Sequence, residues 1–357
     1  MSNNQHIAKI DLICDGIENP LNAMALISAT EMFGSTCFFH DRKNLRQAFS
    51  KIADPALLRV AFSEHVAGNY SPILALDNVA YSADLFAFKL APTNKPALIV
   101  GNERFGISHD MVSTAEHVLH LPMSGPSLNM INVSAAAAIA LYYLTAGVGA
   151  RMPMRADPPR VRPEVLLIGG SDYFELGCTI RSAAAFGWER LFVDDRELVW
   201  FGQNRALQSM ETESDSHDAR SAMKLVPVAS PATYSFSKAI VVTRDSGTPL
   251  HLLNLADGPQ NLIVIPDESR ISAAEEDWSK YAHKVEFARI EVPQTKYSYH
   301  YRLFASIALA EISRQVGHRA PSSRPAKVKQ GRVYDSSLSR LLTQKAEQVY
   351  LEDLANF

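Results

Sequence analysis

Three short stretches of this 357-residue chain hold the residue types and spacings that a ligand site needs. Ala97-Leu98-Ile99-Val100 is an apolar run that stops at Gly101-Asn102-Glu103-Arg104, as a buried parallel strand running into a turn would. Open α/β sheets bind their ligands at the carboxyl ends of such strands. A second short strand, His117 to Leu121, ends in Pro122-Met123-Ser124-Gly125, a loop with a breaker at each end. Ile131-Asn132 then leads into a helix dominated by small residues, Val133 to Leu144. Two strand-end loops and a helix start directed at one spot make a pocket, without saying what it holds.

In sequence form these stretches read G-N-E-x-x-G-I, then L-P-M-x-G with Gly101 and Leu121 twenty positions apart, then N-V-S-x-A-A-A-I-A-L-Y. In that order and spacing they resemble the second and third motifs of the SpoU (TrmH) branch of the SPOUT methyltransferases, a far more specific signal than a lone glycine-rich loop. The resemblance implies a trefoil-knotted, mostly parallel α/β domain that binds S-adenosylmethionine (SAM) in a bent shape, largely through backbone groups. It places Gly101, Asn102, Leu121, Met123, Gly125 and Ile131 around the cofactor, Glu103 and Asn132 among the catalytic residues, and Asn22 and Arg104 toward the substrate. Glu103 either fixes the knot or substrate through backbone N–H groups or simply caps its loop. Asn132 is matched to the family asparagine by the alanine run that follows it. Ser127-Leu128-Asn129 spells the family tripeptide three residues earlier, and Met130 stands where the family has serine.

The elements that must position these residues read in order along the chain. Lys9 to Cys14 is a strand, Pro20 breaks the turn before a helix that runs to Phe33-Gly34, Ser35 to His40 is a strand, and Arg42 to Ile52 a helix. This pattern resembles the family's first motif, with Asn22 at its asparagine. Six residues on, where the family has the arginine most often assigned to catalysis, stands Ser28. Arg151 to Glu164 then holds four prolines in fourteen positions and reads as a semi-stiff linker.

The pattern begins again after that linker. Val165 to Ile168 and Leu191 to Asp194 are strands, Phe186-Gly187 answers Phe33-Gly34, Asn261 to Glu268 answers Leu98 to Glu103, and Phe304 to Ile312 answers Ala137 to Leu144. An internal repeat of about half the chain predicts two tandem copies of one domain. The second copy has Arg181 where the first has Ser28, but Glu175 at the asparagine position, Pro266-Asp267 for Gly101-Asn102, and bulky residues after Val292-Pro293. Proline lacks both the donor and the φ freedom of glycine, so no cofactor is expected in the second copy. The expected assembly is an intramolecular pseudo-dimer, monomeric, with one SAM site and Arg181 facing it. Arg181 would bind a phosphate or lower the pKa of the attacking hydroxyl, since guanidinium is a poor literal base. Otherwise it is a salt bridge left at the interface. The domains fall at residues 1–150, 151–164 (linker), 165–317 and 318–357 (basic tail and helix).

Composition bounds the partners. A net charge of −3 is not the excess of a dedicated nucleic-acid binder. Three scattered cysteines, Cys14, Cys37 and Cys178, point to a reducing cytoplasm rather than a disulfide framework. Val133 to Ala150 has the length of a membrane span but is alanine-rich and contains Ser134, Tyr142, Tyr143 and Thr145, so no membrane is expected. The resemblance implies ribose 2′-O-methylation of tRNA or rRNA. Arg314, Arg319, Arg324, Lys327, Lys329, Arg332 and Arg340 could form a basic arm for it, or a solvated tail before a final helix from Ser336 to Ala355. A small-molecule O- or N-methyltransferase, its pocket closed by Tyr297 to Tyr301, and a non-catalytic RNA- or partner-binding protein are the alternatives.

Overall fold

Short apolar runs between breakers form the strands. In a computed structural model, the described residues are 9–49, 61–63, 69–79, 82–91, 95–124, 131–146, 162–170, 172–196, 198–199, 224–228, 236–253, 255, 260–294 and 296–317. The first sheet contains β1 (Asp11–Asp15), β2 (Cys37–His40), β3 (Ala61–Phe62), β4 (Ile73–Leu76), β5 (Ala83–Asp84), β6 (Ala97–Val100) and β7 (His117–His120). Its order is β3-β2-β1-β6-β4-β7-β5, and its strands pair parallel. β6 is central and buried throughout, as an all-apolar strand covered on both faces should be.

The second sheet contains β8 (Glu164–Ile168), β9 (Arg190–Asp194), β10 (Lys224–Pro227), β11 (Phe236–Thr243), β12 (Thr248–Pro249), β13 (Asn261–Pro266) and β14 (Ala282–Arg289). Its order, β10-β9-β8-β13-β11-β14-β12, repeats the first position for position, again with parallel pairing. Sequence reading named none of β4, β11 and β14, although β4 lies between two strands it did find and β11 beside one. β4 and β11 nevertheless each hold an apolar run, Ile73 to Leu76 and Ala239 to Val242, like that of β6. The helix read over 42–52 is observed as α2 (Leu45–Phe49), with residues 50–52 outside the described part.

The long helices form one continuous layer. α1 (Pro20–Phe33) starts at Asn19, whose side chain accepts from the Leu21 N–H, with proline in its first turn, and it ends at Gly34 with φ 66°. After the short α3 (His109–Val112) comes α4 (Val133–Ala146), where Ala135, Ala137, Ala138 and Ala140 are fully buried. α5 (Tyr173–Ala185) is capped by Asp172, and α6 (Tyr301–Val316) closes the series. α1 packs on α4, α4 on α6, and α6 on α5, so one hydrophobic core runs from Ile10 to Val316 through both halves. Small alanine side chains let α4 approach two neighbours at once. Among the described residues no helix is long and apolar enough to cross a membrane.

One expectation needs correcting. Arg314 does not belong to a basic arm: it lies in the last turn of α6, 3% exposed, and its guanidinium donates to Glu311 at 2.9 and 2.6 Å. The helical period places it on the face that meets α4. Arg319, Arg324, Lys327, Lys329, Arg332, Arg340 and the helix read over 336–355 lie outside the described residues, as does most of the proline-rich linker.

Candidate active site

The loop after β6 is built by its own backbone. Asn102 and Gly106 exchange N–H···O=C bonds of 2.9 Å each, and Gly106 sits at φ 73°. A Cβ on Gly101 would lie 2.2 Å from the Gly106 carbonyl carbon and the Ile107 nitrogen, so close chain approach already demands glycine there. The Asn102 carboxamide accepts from the Arg104 and Phe105 N–H groups at 2.8 and 3.1 Å and donates to the Gly16 carbonyl at 2.6 Å. It ties the loop to the end of β1. Behind the loop, buried Asp15 accepts from the Ser108 N–H at 2.7 Å and faces His40 and Arg42, each at 3.1 Å, a cluster that spacing alone did not reveal.

Three predicted residues, one from each sequence block, meet in front of this loop. Asn22, in the first turn of α1, donates to Glu103 Oε1 at 2.8 Å, and Asn132, just before α4, donates to Asn22 Oδ1 at 2.9 Å. Asn22 and Asn132 are 3% and 7% exposed, so these contacts are withdrawn from water. Burial pushes the Glu103 carboxyl above its ordinary pKa, partly offset by the bond from Asn22 and by backbone N–H groups including that of Glu18. Ser134 completes the group through an Oγ–H donated to Asn132 Oδ1 at 2.6 Å.

The remaining predicted residues lie in the core, at the surface or outside the described part. Leu121 is buried, and half-buried Met123 and Ile131 pack on the same core. Arg104 is partly exposed with its Nε 3.8 Å from Glu18. Gly125, together with Ser127, Leu128, Asn129 and Met130, lies outside the described residues. Ser28 is buried and donates back to the Met24 carbonyl at 3.1 Å, so its hydroxyl serves the helix rather than the relay.

The second half packs against the first. Arg181 is half-buried on α5, and the end of its helix touches the first half's loop. Ser124 Oγ donates to the Phe186 carbonyl at 2.9 Å, and Arg162 donates to both. The contact is reciprocal. Gln294, in the loop after β14, donates its N–H to the Met32 carbonyl at 3.2 Å, at the end of α1. A Cβ on Gly34 would sit 2.8 Å from Gln294 Nε2, and one on Gly187 2.7 Å from Ser124 Oγ. Each half thus fastens its loop to the other's first helix.

Glu175, third residue of α5 as Asn22 is of α1, pairs with Arg302 and with His300 Nδ1 at 3.1 Å. Burial alone would raise the Glu175 carboxyl, but Arg302 and His300 outweigh it and hold its pKa below the ordinary value. A cavity of about 170 Å³ opens beside this pair, next to Asp172, Asp267 and Tyr299. Its polar lining is engaged internally: Asp172 caps α5, and Asp267 accepts from the Ser269 N–H and Oγ. Tyr299 and Tyr301 are part of that packing, with Tyr301 donating to the Ile265 carbonyl at 2.8 Å. Among the described residues no group of three or more His, Cys, Asp or Glu is placed to hold a metal.

Residues 9–142 match the model of the SpoU rRNA Methylase family. Similar solved structures include a TrmH-family protein from Porphyromonas gingivalis, at 20% identity over 40% of this chain and 61% of that one, TM-score 0.32. The SpoU methyltransferase AviRb from Streptomyces viridochromogenes, in complex with AdoMet, is 17% identical over 40% of this chain and 58% of its own, TM-score 0.30. An AdoMet-bound rRNA methyltransferase from Sinorhizobium meliloti is 14% identical over 39% and 56%, TM-score 0.33. The chain thus spans less than two thirds of the length of each of these three. A comparison with curated proteins finds no match.

Proposed function

We propose that this chain, whose residues 9–142 match the model of the SpoU rRNA Methylase family, is a SAM-dependent methyltransferase acting on RNA, at a ribose 2′-hydroxyl of a tRNA or rRNA. The observation that carries this reading is the meeting of Asn22, Glu103 and Asn132, one residue from each family block, in a buried relay. The surroundings fit an adenosyl group, because Leu121, Met123 and Ile131 offer apolar surface beside a loop that starts at a residue without a side chain. SAM, when bound, supplies an electrophilic sulfonium methyl.

The chain's own residues position the acceptor. The backbone around Gly101, Asn102, Leu121 and Gly125, with Met123 and Ile131, holds the cofactor. Asn22 and Asn132 orient the groups that face the relay, while Glu103, already bonded to Asn22 and to a backbone N–H, keeps them in place. Arg104, at the rim, takes the RNA. Arg181 from the second half binds a phosphate or stabilises the developing alkoxide by its fixed charge, the role Ser28 cannot fill. Such positioning carries much of the rate of methyl transfer.

The two halves are tandem copies of one knotted domain, closed on each other as a pseudo-dimer within a monomer. Their shared strand order and reciprocal loop contacts support this. The linker keeps the halves at high effective concentration, so symmetry is no longer enforced and the second copy has lost its cofactor loops. Three buried free cysteines suit a cytoplasmic setting.

Calorimetric titration should find one SAM per chain. Labelled SAM should methylate total RNA rather than a metabolite extract, with Arg181→Ala lowering transfer about tenfold or more while SAM affinity holds. Two SAM per chain would refute the asymmetry, label only in the metabolite fraction would favour a small-molecule acceptor, and no SAM binding would favour a non-catalytic partner-binding role.

A further inference from the structure

Arg302 belongs to the second half, yet its guanidinium reaches the starts of both first-half helices that carry the relay asparagines. Nε donates to Ser134 Oγ at 3.2 Å, two residues past Asn132, and a terminal nitrogen donates to the Leu21 carbonyl at 2.9 Å, next to Asn22. The side chain is 2% exposed. Glu175 holds it through the guanidinium and through the Arg302 N–H at 2.8 Å, and the ring of Phe174 lies 4.8 Å from its central carbon.

Every link beyond it runs in one direction. A guanidinium accepts nothing, so the Ser134 hydroxyl must accept from Arg302 and give its one hydrogen to Asn132. The Ser134 N–H, 3.0 Å from the same Asn132 oxygen, acts in the same sense. The Asn132 amide nitrogen then faces Asn22, and the Asn22 amide nitrogen faces the Glu103 carboxylate. A cation at one end and an anion at the other polarise each bond of the chain.

We infer that Arg302 is a positioning residue for the first-half site: clamped by Glu175, it sets the spacing and amide orientation of Asn22 and Asn132 from across the interface. The residue that replaced asparagine in the second copy, Glu175, therefore serves the site of the first. This rests on the reading that the first half holds the active site.

The test uses the full chain with ¹⁵N-labelled asparagine, and three variants, Ser134→Ala, Arg302→Met and Arg302→Lys. In the wild type, the Asn22 and Asn132 side-chain amide hydrogens should exchange slowly with solvent. Ser134→Ala and Arg302→Met should speed that exchange about tenfold. They should also lower kcat about tenfold while leaving the KM for SAM within about twofold. Arg302→Lys, which keeps a donating cation, should recover most of both. If Arg302→Met does not fold, Ser134→Ala leaves the Arg302–Glu175 pair whole and decides the matter. Amide exchange and kcat both within about twofold of wild type in Ser134→Ala would overturn the inference. A wild type that binds no SAM would instead overturn the methyltransferase reading, with amide exchange still deciding what Arg302 holds.

Discussion

Replacing Arg314 with methionine should weaken both halves of the molecule together. Glu311 is fully buried and accepts from Arg314 at 2.9 and 2.6 Å, from Gln315 at 2.8 Å, and from the first half's Tyr143 hydroxyl at 2.6 Å. Removing the cation leaves a buried carboxylate with only neutral donors, a change that costs about 3–5 kcal/mol. Total stabilities run to about 5–15 kcal/mol, so this is a large share. With a urea slope of about 3 kcal/mol/M for a chain of this size, the midpoint should fall by roughly 1 M. The double variant Glu311→Leu/Arg314→Met removes both charges and should recover most of the loss, since well-packed apolar replacements of buried pairs are often neutral. Trp188, Trp200 and Trp278 all lie in the second half, so fluorescence follows that half, whereas far-UV circular dichroism follows both. One shared core requires the two signals to change at the same urea concentration. A loss below about 1 kcal/mol in the single variant, or separate transitions for the two probes, would refute the reasoning.

Two further outcomes follow from the loops. Gly101→Ala places a Cβ 2.2 Å from the backbone of Gly106. It should cost about 1–3 kcal/mol of stability and weaken SAM binding, read by denaturation and calorimetry, and unchanged values of both would count against the closed loop. Glu268, just after β13, has its carboxyl pushed by burial up to about 7, partly offset by the Arg244 N–H. A raised folded-state pKa favours folding below the unfolded value and loses that contribution as pH rises through about 7. Relative to Glu268→Gln, the wild type should therefore lose about 1–2 kcal/mol between pH 5 and 8, a figure reduced because the side chain is partly exposed. Equal losses in both proteins over that range would contradict the burial argument.

The strand ends and the helix starting at Val133 were legible because each rests on local chemistry: apolar runs, breakers, caps and spacing. Asn22, Glu103 and Asn132 were singled out by the family resemblance, and the structure joins them by hydrogen bonds. β4 and β11 carry apolar runs like that of β6, but their central place in each sheet comes only from the strands they pair with. Arg314 was misread because a positive charge near Ser and Pro looks solvated until its partner on the same helix, and the helix facing it, are known.

By itself the sequence determined which residues can cap, turn, pack or donate. Only the tertiary structure decided that α4 and α6 pack together, that Glu175 pairs with Arg302 rather than facing water, and that Arg302 reaches into the other half. The physical reason is distance along the chain. Leu21 and Arg302 are 281 residues apart, and no local preference encodes a contact that exists only once two cores have merged.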